Sequence, residues 1–165
     1  MSQETWMADL VEVTVSGFFT THHVMRTAAG SLCEMTIRGL GKKAVVRTID
    51  ERELLIERTN WWRGAYELRR DDVTVAEARP LGVFRRVNAI QFDGRGYRLR
   101  AADFWSHSWL LADDAGQTLA KIRPRGVFRR GAILRILGPV DVDLLAFTYH
   151  LVNARWRQQS AAAAS

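Results

Sequence analysis

Two arginine pairs, Arg85-Arg86 and Arg129-Arg130, close two nearly identical strings: Arg-Pro-Leu-Gly-Val-Phe-Arg-Arg at 79–86 and Arg-Pro-Arg-Gly-Val-Phe-Arg-Arg at 123–130. A guanidinium forks onto the paired oxygens of phosphate or carboxylate better than an ammonium does. With Lys121, Arg123 and Arg125, the pairs form a candidate basic patch for anionic head groups. Alternation along a strand puts Lys121 and Arg123 opposite Ala120 and Ile122, on the outward face. The competing reading is a solvated wall of arginines, with the phenylalanines beside them plugging a core.

The other chemistry-bearing residues point away from catalysis. His22-His23 is a poor chelate, because neighbours on a strand face opposite ways. His150 falls in an apolar segment and is expected to be buried and hydrogen-bonded rather than ligating. Cys33 is the single cysteine; it rules out an internal disulfide, suits a reducing compartment and reads as a small buried apolar residue. Asp71-Asp72 and Asp113-Asp114 are explained by turn chemistry. Gly39-Leu40-Gly41-Lys42-Lys43 lacks the strand-loop-helix setting of a phosphate loop. No acid-base or nucleophile set emerges, so the expectation is a binding domain that is not an enzyme, with no cofactor and no metal.

Composition narrows the partners. The net charge is +6, carried by 21 Arg and 3 Lys against 18 acids. It is lopsided: residues 1–82 hold 11 basic and 12 acidic side chains, residues 83–165 hold 13 and 6. The basic half suits an anionic phospholipid surface. The rival is a structural or regulatory domain that binds another protein. Nucleic acid fits poorly, because basic and aromatic residues do not interleave on one face. The six tryptophans read mostly as core, Trp61 and Trp105 above all, since they occupy equivalent places in a repeat; Trp156, between Arg155 and Arg157, fits a barrel mouth or a lipid interface. The start of the sequence has no basic-then-apolar leader pattern, so the expected location is cytoplasmic, compatible with the inner face of a membrane.

The repeat sets the architecture. Residues 43–86 recur as 87–130, with 11 of 44 positions identical, including Leu55 with Leu99, Thr74 with Thr118 and Ala76 with Ala120. Alternating apolar residues and turn signals give about twelve short strands, near 9–16, 18–26, 31–38, 43–49, 53–59, 64–69, 73–79, 83–92, 96–101, 107–112, 117–123 and 127–136. Asp113-Asp114-Ala115-Gly116 is the best hairpin signal. After Gly138-Pro139 the period changes to one helix, about 140–157, with 11 uncharged residues between Asp143 and Arg155. Its apolar residues keep to no single stripe, and the run is too short and too polar to span a bilayer, so it is expected to be buried. Residues 158–165 are expected to fray. Twelve antiparallel strands hide their edges by closing, and a twelve-stranded barrel is too wide for its own side chains to fill. The reading is therefore mainly β: one domain over 1–157, a closed antiparallel barrel built from the tandem 44-residue repeat and enclosing its own C-terminal helix.

That combination resembles the tubby-like C-terminal fold shared by tubby proteins, phospholipid scramblases and the LURP-one-related family, and looks like its small bacterial members. The resemblance covers 43–157. It rests on the repeated hairpin, the Asp-Asp-Ala-Gly-Gln-Thr-Leu-Ala-Lys-Ile segment at 113–122, the Gly-Val-Phe-Arg-Arg that follows, and the apolar helix ending in Arg155-Trp156-Arg157. It implies a barrel around a helix and points to membranes: tubby domains bind phosphoinositides, and scramblases act at the bilayer with calcium. The sequence shows no acidic calcium loop of the scramblase kind and no cysteine cluster, so scramblase activity does not carry over. No phosphoinositide-contact motif matches residue by residue.

Overall fold

The computed structural model describes residues 10–39, 41–60, 64–105, 107–126 and 130–164. Alternation of buried and exposed side chains organises twelve strands: β1 Leu10–Ser16, β2 Thr21–Thr27, β3 Gly30–Arg38, β4 Lys43–Thr48, β5 Glu53–Asn60, β6 Ala65–Arg70, β7 Val73–Leu81, β8 Val87–Phe92, β9 Arg95–Ala101, β10 Trp109–Asp113, β11 Thr118–Pro124 and β12 Gly131–Ile136. Each pairs antiparallel with its sequence neighbours, and β1 pairs with β12, with Val11 opposite Leu134 and Val13 opposite Ala132, so the sheet closes into a barrel. At an offset of 44, Lys43 falls on Val87 and Ala65 on Trp109, which are the first residues of β4 and β8 and of β6 and β10.

The lumen is filled by α1, Val142–Ala163. Asp141 caps it, accepting from the Asp143 N–H at 2.8 Å. The absence of an apolar stripe now has its reason. Strands surround the helix, so Leu144, Phe147, Tyr149 and Val152 are all buried although they point in different directions. They meet the inward rows of the barrel, including Val13, Met35, Val46, Ile56, Leu68, Ile90, Leu99 and Leu134. The helix runs six residues past the expected end at 157, through Gln158 and the alanines expected to fray. Alanine is the best helix former and nothing in that stretch breaks a helix. Its 22 residues span about 33 Å at 1.5 Å per residue, long enough to emerge from the barrel.

The two ends of the barrel differ. At the end where α1 enters, strands join by short hairpins. Asp71-Asp72 and Asp93-Gly94 make two-residue turns with positive φ at both positions. At the other end the joints are longer, and four expected strands begin late, β10 at Trp109 rather than 107 and β12 at Gly131 rather than 127 among them. β2 starts at Thr21 rather than 18, and β8 at Val87 rather than 83. For β2 and β8 the cause is glycine. Gly17 (φ +86°) and Gly82 (φ +73°) turn the chain outward just before Phe18-Phe19 and Val83-Phe84. A Cβ on Gly17 would stand 2.2 Å from the Thr20 carbonyl oxygen, so no other residue fits.

Candidate functional site

The long-loop end is where the exposed chemistry gathers. Phe18, Phe19, Val83, Phe84, Phe104 and Trp105 are each 70 % exposed or more. They sit as adjacent apolar pairs on three joints: β1–β2, β7–β8 and β9–β10. Phe18 meets Phe19 edge-on at 5.2 Å, and Phe104 meets Trp105 likewise at 5.2 Å. Soluble surfaces seldom carry large exposed aromatic groups together, and such groups mark interaction sites. This corrects two expectations. Phe84 does not plug the core, and Trp105 is not packed inside; both stand on loops that the preceding chain directs outward. Trp61 lies outside the described residues, as does Phe128.

The six candidate cations among the described residues do not form one patch. Arg85 (φ +52°) is half-buried on the β7–β8 joint, not at a strand start, and lines a small crevice with Tyr66, Pro80 and Arg155. Arg155 donates to the Phe84 carbonyl at 3.1 Å, and burial, with Arg85 beside it, lowers its pKa. Arg86 donates to the Asp103 carbonyl, and its guanidinium lies 5.4 Å from the Phe104 ring centre, steadying the β9–β10 joint. Arg125 is spent on Glu12, at 2.6 Å. Lys121 is exposed on the outer wall of β11, opposite Leu110 and Arg135. Arg129 lies outside the described residues. Arg123 and Arg130 do come together, in a groove of about 1180 Å³ between the emerging helix and the rim.

The groove contains what the sequence reading missed. Arg157 of α1 joins Arg123 and Arg130, Trp105 and Trp156 line the walls, and His23 lies on the floor. Among the described residues, no aspartate or glutamate lines it. Arg130 donates to the Gly17 carbonyl at 2.5 Å, which ties β12 to the β1–β2 joint. His23 is buried. Its Nδ1 lies 2.6 Å from the Tyr149 hydroxyl and its Nε2 2.9 Å from Thr21 Oγ1. Burial, then the positive charges of Arg157, His150 and Arg130, push the His23 pKa down to about 3. Burial raises the Tyr149 phenol. The pair is therefore a neutral polar floor beneath a cationic mouth. Adjacent histidines diverge as alternation requires, with His22 outside, 3.2 Å from Thr36 Oγ1.

No protein-family model matches the chain, and no curated protein matches it. A search of solved structures gives a protein of Arabidopsis thaliana, AT5G01750, a LURP-one-related protein, with a TM-score of 0.62 at 10 % identity over 92 % of this chain and 94 % of that one. The two share a fold. At that identity the likeness speaks for the twelve-stranded barrel and not for any site.

Burial also shifts His150 and Cys33, which lie outside the groove. His150 is fully buried with its ring edge-on to Tyr66 at 5.5 Å, and a backbone hydrogen bond at Gly41 works against the lowering of its pKa. Burial, with Arg157 adding, lowers its pKa to about 4. Burial, then the negative charges of Asp143 and Glu34, push the Cys33 thiol up to about 12. No helix among the described residues is long and apolar enough to cross a membrane.

Proposed function

We propose that the chain is a non-enzymatic binding domain that seats its long-loop end on an anionic phospholipid surface. The observation that carries this is the shared placement of three exposed apolar pairs, Phe18-Phe19, Val83-Phe84 and Phe104-Trp105, on the same end as Arg123, Arg130 and Arg157. Apolar tips enter the acyl boundary, and arginines behind them meet lipid phosphates. A fully withdrawn phenylalanine contributes about 1.5–3 kcal/mol, and each cation near an anionic leaflet about 1 kcal/mol. Neither alone holds a protein firmly; together they do. The charge beside the aromatics favours lipid over a protein partner.

Sedimentation with vesicles tests this. At low salt the protein should pellet with phosphatidylglycerol vesicles and stay in solution with phosphatidylcholine. Binding should weaken at 0.5 M salt, where charges are screened within about 5 Å. The triple variant Phe18→Ser, Phe84→Ser, Phe104→Ser should lose about a thousandfold or more in partition. Ile49→Ser with Leu137→Ser removes exposed apolar residues from the opposite end and should leave binding unchanged. Equal binding by the triple variant and the parent would favour the protein-partner reading instead.

A further inference from the structure

We propose that the groove between the helix and the rim is a specific site for a phosphate monoester carried on a flat or ring-shaped body. This goes beyond contact with a charged surface: it assigns one concave place to one ligand.

The charge argument comes first. Arg123 from β11, Arg130 from the joint just before β12 and Arg157 from α1 line one cavity. Among the described residues, no carboxylate lines that cavity, and no described ion pair involves these three guanidiniums. Like charges held together in one concave site repel one another, and a dianion relieves that. The helix dipole does not account for them, because its effect is confined to the last turn. That turn contains no basic residue, and Arg157 lies six positions before Ala163. Both Arg130 and Arg157 act on His23 and Tyr149, so the two cations stand over the same buried pair.

Size and walls define the rest of the ligand. A volume of about 1180 Å³ far exceeds what a bare phosphate fills and is at the upper end for small-molecule sites. Trp105 and Trp156 offer indole faces on which a ring can lie. Arginine forks fix the phosphate, and the indoles select the body. Such a group can arrive as a water-soluble phosphate ester or as the head of a lipid; the recognition chemistry is the same.

The test uses phenyl phosphate as probe and the indole N–H signals of the ¹⁵N-labelled full chain as readout, with Trp105 and Trp156 assigned through Trp→Phe variants. Phenyl phosphate should shift both signals saturably at low salt and bind about fivefold or more tightly than inorganic phosphate. Arg130→Gln with Arg157→Gln should weaken binding at least about tenfold. Arg98→Gln with Arg100→Gln removes the same charge from the exposed face of β9 and should change it less than about twofold. Because Arg130 also holds Gly17, Arg157→Gln alone serves as the second variant and should show most of the loss. No saturable shift up to about 20 mM, or equal loss in both double variants, would overturn the site. Vesicles distinguish the source. The groove variant should bind all anionic vesicles more weakly; if it loses at least about tenfold more on phosphatidic acid vesicles than on phosphatidylserine vesicles, the ester is a lipid head. If the loss is equal on the two, it is a soluble ester. The loop-tip triple variant should still bind phenyl phosphate, so failure of the membrane reading and failure of the groove are told apart.

Discussion

Arg52 Nη1 lies 2.7 Å from the fully buried carboxylate of Asp143, 91 residues away in sequence. Arg70 reaches the same oxygen from the β6–β7 hairpin. Two hairpins thus clamp the first turn of α1 at the closed end of the barrel. Arg52 is itself held by Asp50 at 2.7 Å.

The clamp is lopsided: the acid is buried, and its cations reach water. Removing both arginines strands a charge, which costs about 3–5 kcal/mol. Arg52→Ala with Arg70→Ala should therefore lower stability more than the sum of the single changes, read from urea midpoints. Adding Asp143→Asn should recover part of the loss, because the neutral amide needs no counter-charge. No recovery in the triple variant would count against the clamp.

Acid should weaken the fold before carboxylates titrate. The unfolded chain protonates His23 near 6.5, whereas the folded chain resists until about 3. Between those values the unfolded state binds more protons, so stability is fully present above about pH 6.5 and falls as pH falls. His150, held to about 4, adds in the same direction. Each histidine contributes a slope of up to about 1.4 kcal/mol per pH unit. Tm followed from pH 7.5 to 5 should decline, and His23→Gln should flatten the decline. An unchanged slope in that variant would refute the assignment.

The barrel seam depends on one glycine. Gly131 opens β12 at φ +117°, and a Cβ there would stand 2.1 Å from the Val13 carbonyl oxygen of β1. Gly131→Ala should cost at least about 3 kcal/mol and loosen amide protection along β1 and β12. Gly94→Ala meets open space and should cost only about 1 kcal/mol. Equal effects of the two changes would contradict the seam.

Periodicity made the barrel legible. Val11 and Val13 already point to one face of β1, and a helix without a stripe at 144–154 announces that it will be surrounded. The loops were legible only in part. Phe18-Phe19 and Val83-Phe84 look like strand residues by composition, and only the conformations of Gly17 and Gly82 turn them outward. The groove was the least accessible. Arg123 and Arg130 stand in the repeated string, but Arg157 and His23 come from distant segments, and their meeting follows from how far the helix emerges at the rim. Arg86 and Arg125 show the converse: candidates by sequence whose guanidiniums are already engaged, by the Asp103 backbone carbonyl and the Glu12 carboxylate.

The helix that fills the lumen follows every strand in chain order. During synthesis the hairpins form early, because each joins neighbours. Their inward faces, Leu54, Ile56, Ile90 and Leu99 among them, have nothing to cover them until α1 has left the ribosome, and β1 waits for β12 to close the ring. The growing chain therefore passes through a curled, open sheet with an apolar hollow and two unpaired edges, the form most prone to aggregation and most in need of a holding chaperone.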